Sequence, residues 1–505
     1  MTWRYLPDLP ADSPNTWRVC DGWFPDRNGI YRTGFLAASY SDYGAGAGYT
    51  AGKAYRTAAG TLGIVLLGYN GASNSAMVYN GTWNDRVGAL TQLYSTPAGI
   101  AQVGNITLVA MHASGIASRD ASGTSNFASI SGAPTCSVLL VTPLNIVVAL
   151  NALSSQNHAG SDAWYASDAG DYTNWSTGEY VTGNLRQTPG VLTAGVVFGN
   201  DVIAFKRRGV YRGSYVGGYE KWIWRLLTPS LGAWGPGCAV SAADKVYFYG
   251  DDGFYSYDGA NFQKLDIGIA YTIAATIADP NGAFGYNADS YSAVKLVYDS
   301  LNRRVCIFNF GEVVIGNHVT NPRHFSYSID SGAWGYQERV KDETDDSDDY
   351  SGIVDNAEEF NSFTDGAWTY NSNIALISST NTDIRILTTE YTSANVGTNY
   401  KPKLRTHRIG SRVDMTSVNR LVPNWVTSDG AGTDLSGATL KSAIPYSSDS
   451  LIESETAGTA VTLSTDQYRA DFTKSRRWHS VELQLNCEAC IDGATWDSPK
   501  FSGRN

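Results

Sequence analysis

Lys245–Phe262 reads K-V-Y-F-Y-G-D-D-G-F-Y-S-Y-D-G-A-N-F, a hairpin with both of its turns spelled out. Val246, Tyr247, Phe248 and Tyr249 are strand formers, and Gly250-Asp251-Asp252-Gly253 is a turn in which Gly supplies positive φ. Phe254, Tyr255 and Tyr257 resume the strand, and Asp258-Gly259 is the next tight turn. The closing half recurs along the chain. Tyr79-Asn80-Gly81-Thr82-Trp83, Asp330-Ser331-Gly332-Ala333-Trp334 and Asp365-Gly366-Ala367-Trp368 share its order of Asn or Asp, Gly and a large aromatic. A recurring unit decides the architecture before any single residue does.

Composition points the same way. Only 17% of the 505 residues are charged while 12% are aromatic, and 52 are Gly without a collagen-like period. Such a chain suits short strands joined by tight turns, not long surface helices, which want Glu, Lys, Ala and Leu. A hydrophobic content of 43% excludes the disordered class. The net charge of −11 argues against a protein that grips nucleic acid phosphate, though not against one that DNA must slide past. No apolar run is long enough for a membrane span; the longest candidate, around Ser137–Leu153, is broken by Pro143. Met1–Asp8 lacks the apolar core of a secretory signal, so synthesis in a cytoplasm is expected.

Three regions follow from the order of signals. Residues 1–30, with Pro7, Pro10, Pro14 and Pro25 spacing Trp3, Trp17, Trp23 and Phe24, read as an N-terminal arm laid along a surface or as a first edge strand with its loop. Residues 31–384 carry short strand candidates separated by Gly, Asn, Ser and Pro: Leu62–Leu67, Ala76–Tyr79, Ile106–Met111, Ser137–Val141, Ile146–Leu150, Val202–Phe205, Ala293–Tyr298, Arg304–Phe310 and His324–Ile329. Gly-Ala-Trp-Gly appears at 232–235 and again at 332–335. Trp83, Trp175, Trp234, Trp334 and Trp368 fall roughly one or two units of a 40–50-residue blade period apart. The expected fold is all-β, a β-propeller of six to seven blades. Residues 385–505 are expected to be a β region that closes or decorates it, with a basic band (Lys401, Lys403, Arg405, His407, Arg408, Arg412, Arg420), exposed hairpins or loops over Val426–Leu463, and an alternating strand at Trp478–Leu485.

Chemistry is sparse. Cys487-Glu488-Ala489-Cys490 is a single C-x-x-C with no second pair, and nearby His479 does not complete a zinc site. The acidic run Asp342–Asp349 offers Asp345, Asp346, Asp348 and Asp349 to Ca²⁺ but lacks the EF-hand Gly and terminal Glu, which favours a solvated, self-repelling loop. Sialidase-type propellers carry Asp boxes, S-x-D-x-G-x-x-W; Ser328–Trp334 is one residue short of that pattern, and Ser167–Trp175 has the wrong spacing. Such an enzyme also needs paired carboxylates and three arginines. No G-x-S-x-G, Walker A or Rossmann fingerprint opens a helix. Asp251, Asp252 and Asp258 read most simply as turn residues. No catalytic, cofactor-binding or metal-binding residue is assigned, no cofactor is expected, and the chain reads as a non-enzyme.

The succession N-D-V-I-A-F-K-R-R-G-V-Y-R-G (200–213), S-L-G-A-W-G-P-G-C-A-V (230–240) and K-V-Y-F-Y-G-D-D-G-F-Y-S-Y-D-G (245–259) resembles the β-propeller tail hub or nozzle proteins of short-tailed bacteriophages. The likeness is one of texture and order over roughly residues 60–500. It implies a virion protein of the tail, present in the host cytoplasm during assembly, that forms a homo-oligomeric ring, usually of six subunits. The ring would sit below the portal and adaptor, extend and gate the DNA exit channel, and carry fibres or a needle. DNA would pass without specific binding, which an acidic lining favours. The alternative from another class is a glycan-binding or glycan-cleaving β-propeller, suggested by surface aromatics and the near-Asp boxes.

Overall fold

The computed structural model describes residues 3–34, 36–44, 48–57, 59–69, 74–90, 99–111, 115–152, 162–176, 180–277, 294–309, 313–315, 318–320, 324–338, 341–342, 350–355, 374–378, 383–388, 402–410, 415–426, 441–451, 454–464, 468–485, 487, 489–496 and 500–502. Apart from the small hairpin Val313–Ile315/His318–Thr320, their strands form two assemblies: a seven-bladed β-propeller and a second β unit fastened to it.

The hairpin at 245–257 shows how a blade is built. Lys245–Gly250 and Gly253–Tyr257 pair antiparallel with Gly250 opposite Gly253, and Ala239–Ala242 and Phe262–Lys264 complete a four-stranded sheet. Gly253 has φ 115, and a Cβ there would overlap the Asp266 carboxylate, so glycine is required on two counts. The run Val-Tyr-Phe-Tyr does not alternate with polar residues because both faces of the sheet are covered. Phe248 meets Phe205 of the preceding blade at 5.1 Å between ring centroids, while Tyr247 and Phe254 meet Tyr327 and Trp334 of the following blade at 6.4 and 5.3 Å. Each blade is its neighbour's core.

Four other blades run continuously along the chain: Gly48–Asp85, Gly99–Ser129, Val138–Asn184 and Leu192–Thr228. A further one, Val294–Gln337, follows the hairpin blade. The seventh is shared. Tyr350–Asp355, Ala375–Ser378 and Asp383–Thr388 supply three strands, and Leu36–Asp42 from the beginning of the chain pairs antiparallel with Asp383–Thr388 as the fourth. The innermost strand of that blade lies parallel to the innermost strand of the first, with Ile353 opposite Ala51 and Asp355 opposite Lys53, which closes the ring. Leu36–Asp42 and Gly48–Arg56 are both strands of this closure. One helix, Ala270–Ile277, is described; its first amides Tyr271 and Thr272 donate to the Asp8 carboxylate.

The tryptophans do not occupy one repeated position. Trp83 and Trp334 each begin the outermost strand of a blade. Trp175 lies in the loop before an outermost strand, Trp234 lies in the connector between two blades, and Trp368 lies outside the described residues.

The second unit is woven from both ends of the chain. Thr16–Asp21 pairs antiparallel with Lys403–Thr406, which pairs with Trp478–Leu485. Tyr31–Thr33 pairs with Cys490–Trp496. Met415–Val426 runs beside Ala470–Arg476 and Cys490–Trp496. Within Val426–Leu463, Lys441–Ser448 is a strand paired along its whole length with Trp478–Leu485, and Ala443 is fully buried. That stretch is thus partly core rather than exposed loop: its Ser and Thr content hid a strand lying between two partners. Trp17, Trp23 and Tyr31 have no exposure, each worth roughly 1.5–3 kcal/mol of burial.

Both units meet along Trp334–Gln337. Trp23 pairs with Tyr336, the Gly22 amide donates to Tyr336 O at 2.9 Å, and the Tyr31 hydroxyl donates to Trp334 O at 3.0 Å while accepting from Tyr5 N at 2.7 Å. Gly335 allows this approach, because a Cβ there would overlap Trp23 O.

Candidate functional site

The innermost strands of all seven blades line one central channel with a cavity of about 540 Å³. Small and apolar residues dominate its wall: Gly52 and Gly99, Ala101, Gly195 and Val197, Gly237 and Val240, and Ile353. Among the described residues its charged side chains are Lys53, Lys295 and Asp355. Enclosure pushes the Lys295 ammonium below its usual range, against the opposing pull of Asp355. The polar side chains of Gln102, Ser241 and Tyr298 also reach this wall.

The turn carboxylates singled out in the sequence are engaged locally. Asp251 does more than turn the chain. It accepts from both Arg207 Nε, at 2.9 Å, and Trp234 Nε1, at 2.7 Å, tying the preceding blade and the connector to the hairpin. Asp258 accepts from the amides of Ala260 and Asn261, which hold its carboxyl below the usual range. Asp266, which the sequence reading missed, is fully buried and accepts from Phe254 N at 3.1 Å; burial raises its carboxyl despite that bond. Only its place one turn beyond an aromatic strand could have flagged it.

The two near-Asp boxes occupy the same place in different blades, between the third and the outermost strand. In one, Asp330 pairs with Arg303 at 2.9 Å, and Ser328 Oγ donates to Asp26 O. In the other, Asp168 accepts from Asn174, and Trp175 Nε1 donates to Tyr172 O. The second is a turn closed on itself, whereas the first is tied to Arg303 and to the N-terminal segment at Asp26.

The basic band contributes the most buried charge cluster described. Glu455 receives Arg18 at 3.1 Å, Arg408 at 3.4 Å, Arg405 in close contact and the Ser480 hydroxyl at 2.6 Å. Arg405 also lies 3.5 Å over the Tyr446 ring. Burial lowers the Arg405 pKa while Glu455 opposes the shift. Arg420 pairs instead with Asp471 on the surface. Lys401 and Arg412 lie outside the described residues, as do Asp345, Asp346, Asp348 and Asp349 of the acidic loop.

The cysteines are reduced, and burial pushes the thiols of Cys136, Cys238 and Cys306 up to about 12, far from thiolate reactivity. Cys490 is buried at the start of its strand. Among the described residues no group of His, Cys, Asp and Glu is placed to hold a metal ion, and no helix is long and apolar enough to cross a membrane.

The fold is therefore a β-propeller with a channel, extended by a second β unit. No family model and no curated protein matches the sequence. Among solved structures, YCF48 from Cyanidioschyzon merolae is 9% identical with TM-score 0.31, the match covering 54% of this chain and 96% of that one. A YCF48 bound to D1 peptide is 11% identical with TM-score 0.35 over 70% and 94% of the two chains. An AfRom2 CNH domain is 6% identical with TM-score 0.27 over 57% and 92%. A likeness this loose carries no reading of function.

Proposed function

We propose that this protein is a structural component of a short phage tail, a hub or nozzle subunit that assembles into a homo-oligomeric ring around the DNA exit path. The observation that carries the reading is the two-part build. A propeller is locked to a second β unit through Trp23, Tyr31, Trp334 and Tyr336, making a rigid block suited to transmitting load. Beside that junction an apolar surface stands open. The Asp8 amide bonds to Gly268 O and the Asp8 carboxylate to Tyr271 N, which brings Leu9, Ile267 and Tyr271 together, the last two at 74% and 78% exposure. Large exposed apolar side chains gathered in one place suit a contact with a second copy. The net charge of −11 suits a ring that DNA leaves without sticking.

The glycan-cleaving alternative needs three arginines open to an acidic sugar. The three arginines gathered among the described residues, Arg18, Arg405 and Arg408, are filled by Glu455 rather than open to an acidic sugar.

Native mass spectrometry and images of the purified particle test the proposal. A ring with a central pore, and binding to portal–adaptor complexes, is expected. A strict monomer at micromolar concentration that binds no portal–adaptor complex refutes it.

A further inference from the structure

Three buried cations among the described residues have a direct acceptor. Lys206 Nζ donates to Thr188 O at 2.6 Å, Arg304 pairs with Asp299 at 3.2 Å, and Arg385 pairs with Asp383 at 2.8 Å. Lys295 is placed differently. It is half-buried on the channel wall, and its ammonium has no hydrogen bond or ion pair among the described residues. Its Nζ is accessible from the channel, so an entering anion can reach it.

Its surroundings are built rather than accidental. The Lys295 stem lies across Gly237, the last glycine of the Gly-Ala-Trp-Gly-Pro-Gly stretch. A Cβ at that position would overlap Lys295 Cδ and stand 2.8 Å from Val294 O. The Leu296 amide donates to Gly237 O at 2.7 Å, fixing the two strands at this level. Lys53 lines the same channel and faces Asp355 in the parallel register that closes the ring. Asp355 is also the carboxylate whose field reaches Lys295. Both lysines therefore neighbour one aspartate, and among the described residues the charged lining carries a surplus of one positive charge in a cavity of about 540 Å³. That volume lies within the range of small-molecule sites.

We propose that the propeller channel is a binding site for a small oxyanion, a phosphate or a carboxylate, held by Lys295 and Lys53, with Gly237 as the positioning residue that gives Lys295 its path. The site is internal to one chain and independent of the ring proposed above.

The test is amine acylation of the full chain, read at Lys295 by mass spectrometry, with inorganic phosphate and citrate added separately at constant ionic strength. Protection of Lys295 by about tenfold is expected at ten times the Kd of the anion that fits. Protection by phosphate, by citrate or by both identifies the chemistry. Lys295→Met is expected to fold and to lose any anion-dependent rise in melting temperature, with Lys53→Met and Gly237→Ala reducing it. Lys295 labelling unchanged by both anions relative to chloride overturns the proposal. So does a rise in melting temperature that persists undiminished in Lys295→Met. Should that variant fail to fold, the labelling of the native chain decides alone.

Discussion

Glu455→Gln is the perturbation that most directly examines how the second β unit is held. The side chain is 3% exposed, and its partners Arg408, Arg405 and Arg18 are 5%, 15% and 39% exposed. Gln keeps the shape but removes the charge, leaving the Arg405 and Arg408 guanidinium groups buried without their counter-ion. Removing one partner of a buried pair costs about 3–5 kcal/mol. The half-exposed Arg18 contact is worth at most about 1 kcal/mol. The Tyr446 ring beneath Arg405 retains part of that arginine's interaction, which places the expected cost near the lower end, about 3 kcal/mol. Urea unfolding followed by tryptophan fluorescence reads it, since Trp17 and Trp478 are buried in this unit. Glu455→Gln should bring the unit's transition to markedly lower urea, and Arg18→Ala should barely move it. Adding Arg405→Met to Glu455→Gln should restore part of the loss. A Glu455→Gln midpoint indistinguishable from the native one, or Arg18→Ala matching it in cost, refutes the reasoning.

Tyr31→Phe removes the hydroxyl that joins Tyr5 N to Trp334 O, deleting two hydrogen bonds at the junction. A loss of about 1–3 kcal/mol is expected in the same unfolding assay, and no loss shows that this bridge does not couple the units. The second unit should also weaken in mild acid. His479 Nε2 donates to Thr416 O at 2.8 Å and Arg476 O at 3.0 Å, Nδ1 has no partner among the described residues, and burial pushes its pKa below the ordinary value. His407 is shifted in the same direction by burial. A folded-state pKa below the unfolded one gives stability that is present above about pH 6.5 and lost as pH falls from there toward the folded value. His479→Gln should flatten that part of the profile by up to about 1.4 kcal/mol per pH unit; an unchanged slope counts against the assignment.

The blades were legible because their information is local. Lys245–Tyr257 contains its own turn, and Gly253 marks it by a conformation that other residues avoid. Ile106–Met111 and Leu62–Leu67 likewise announce themselves by runs of β-branched and aliphatic residues between glycines. What the channel contains was much less legible. Lys53, Lys295 and Asp355 lie far apart in sequence, and of the three only Lys295 sits in a strand that the sequence announces, Ala293–Tyr298; only closure of the ring brings them to one wall. The Glu455 cluster was half visible: the basic band was plain, but the carboxylate that fills it lies in a Ser/Thr-rich stretch with no motif.

The N-terminal segment presents the opposite case, aromatic residues visible and partners hidden. Trp17 and Trp23 gain their burial from strands almost four hundred and more than three hundred residues away, at Lys403–Thr406 and Trp334–Gln337. That distance has a mechanical consequence. A propeller closed only by the parallel contact of Ile353 with Ala51 would open as its last blade frayed. Here Leu36–Asp42 completes the seventh blade from the start of the chain, and the residues just before it are bound into the unit formed by the end of the chain. Opening the ring therefore requires that Leu36–Asp42 leave its sheet while Tyr31–Thr33 remains anchored beside Cys490–Trp496, or that both be lost together. The two closures are in series along the chain and in parallel in the structure, so each limits the fraying of the other.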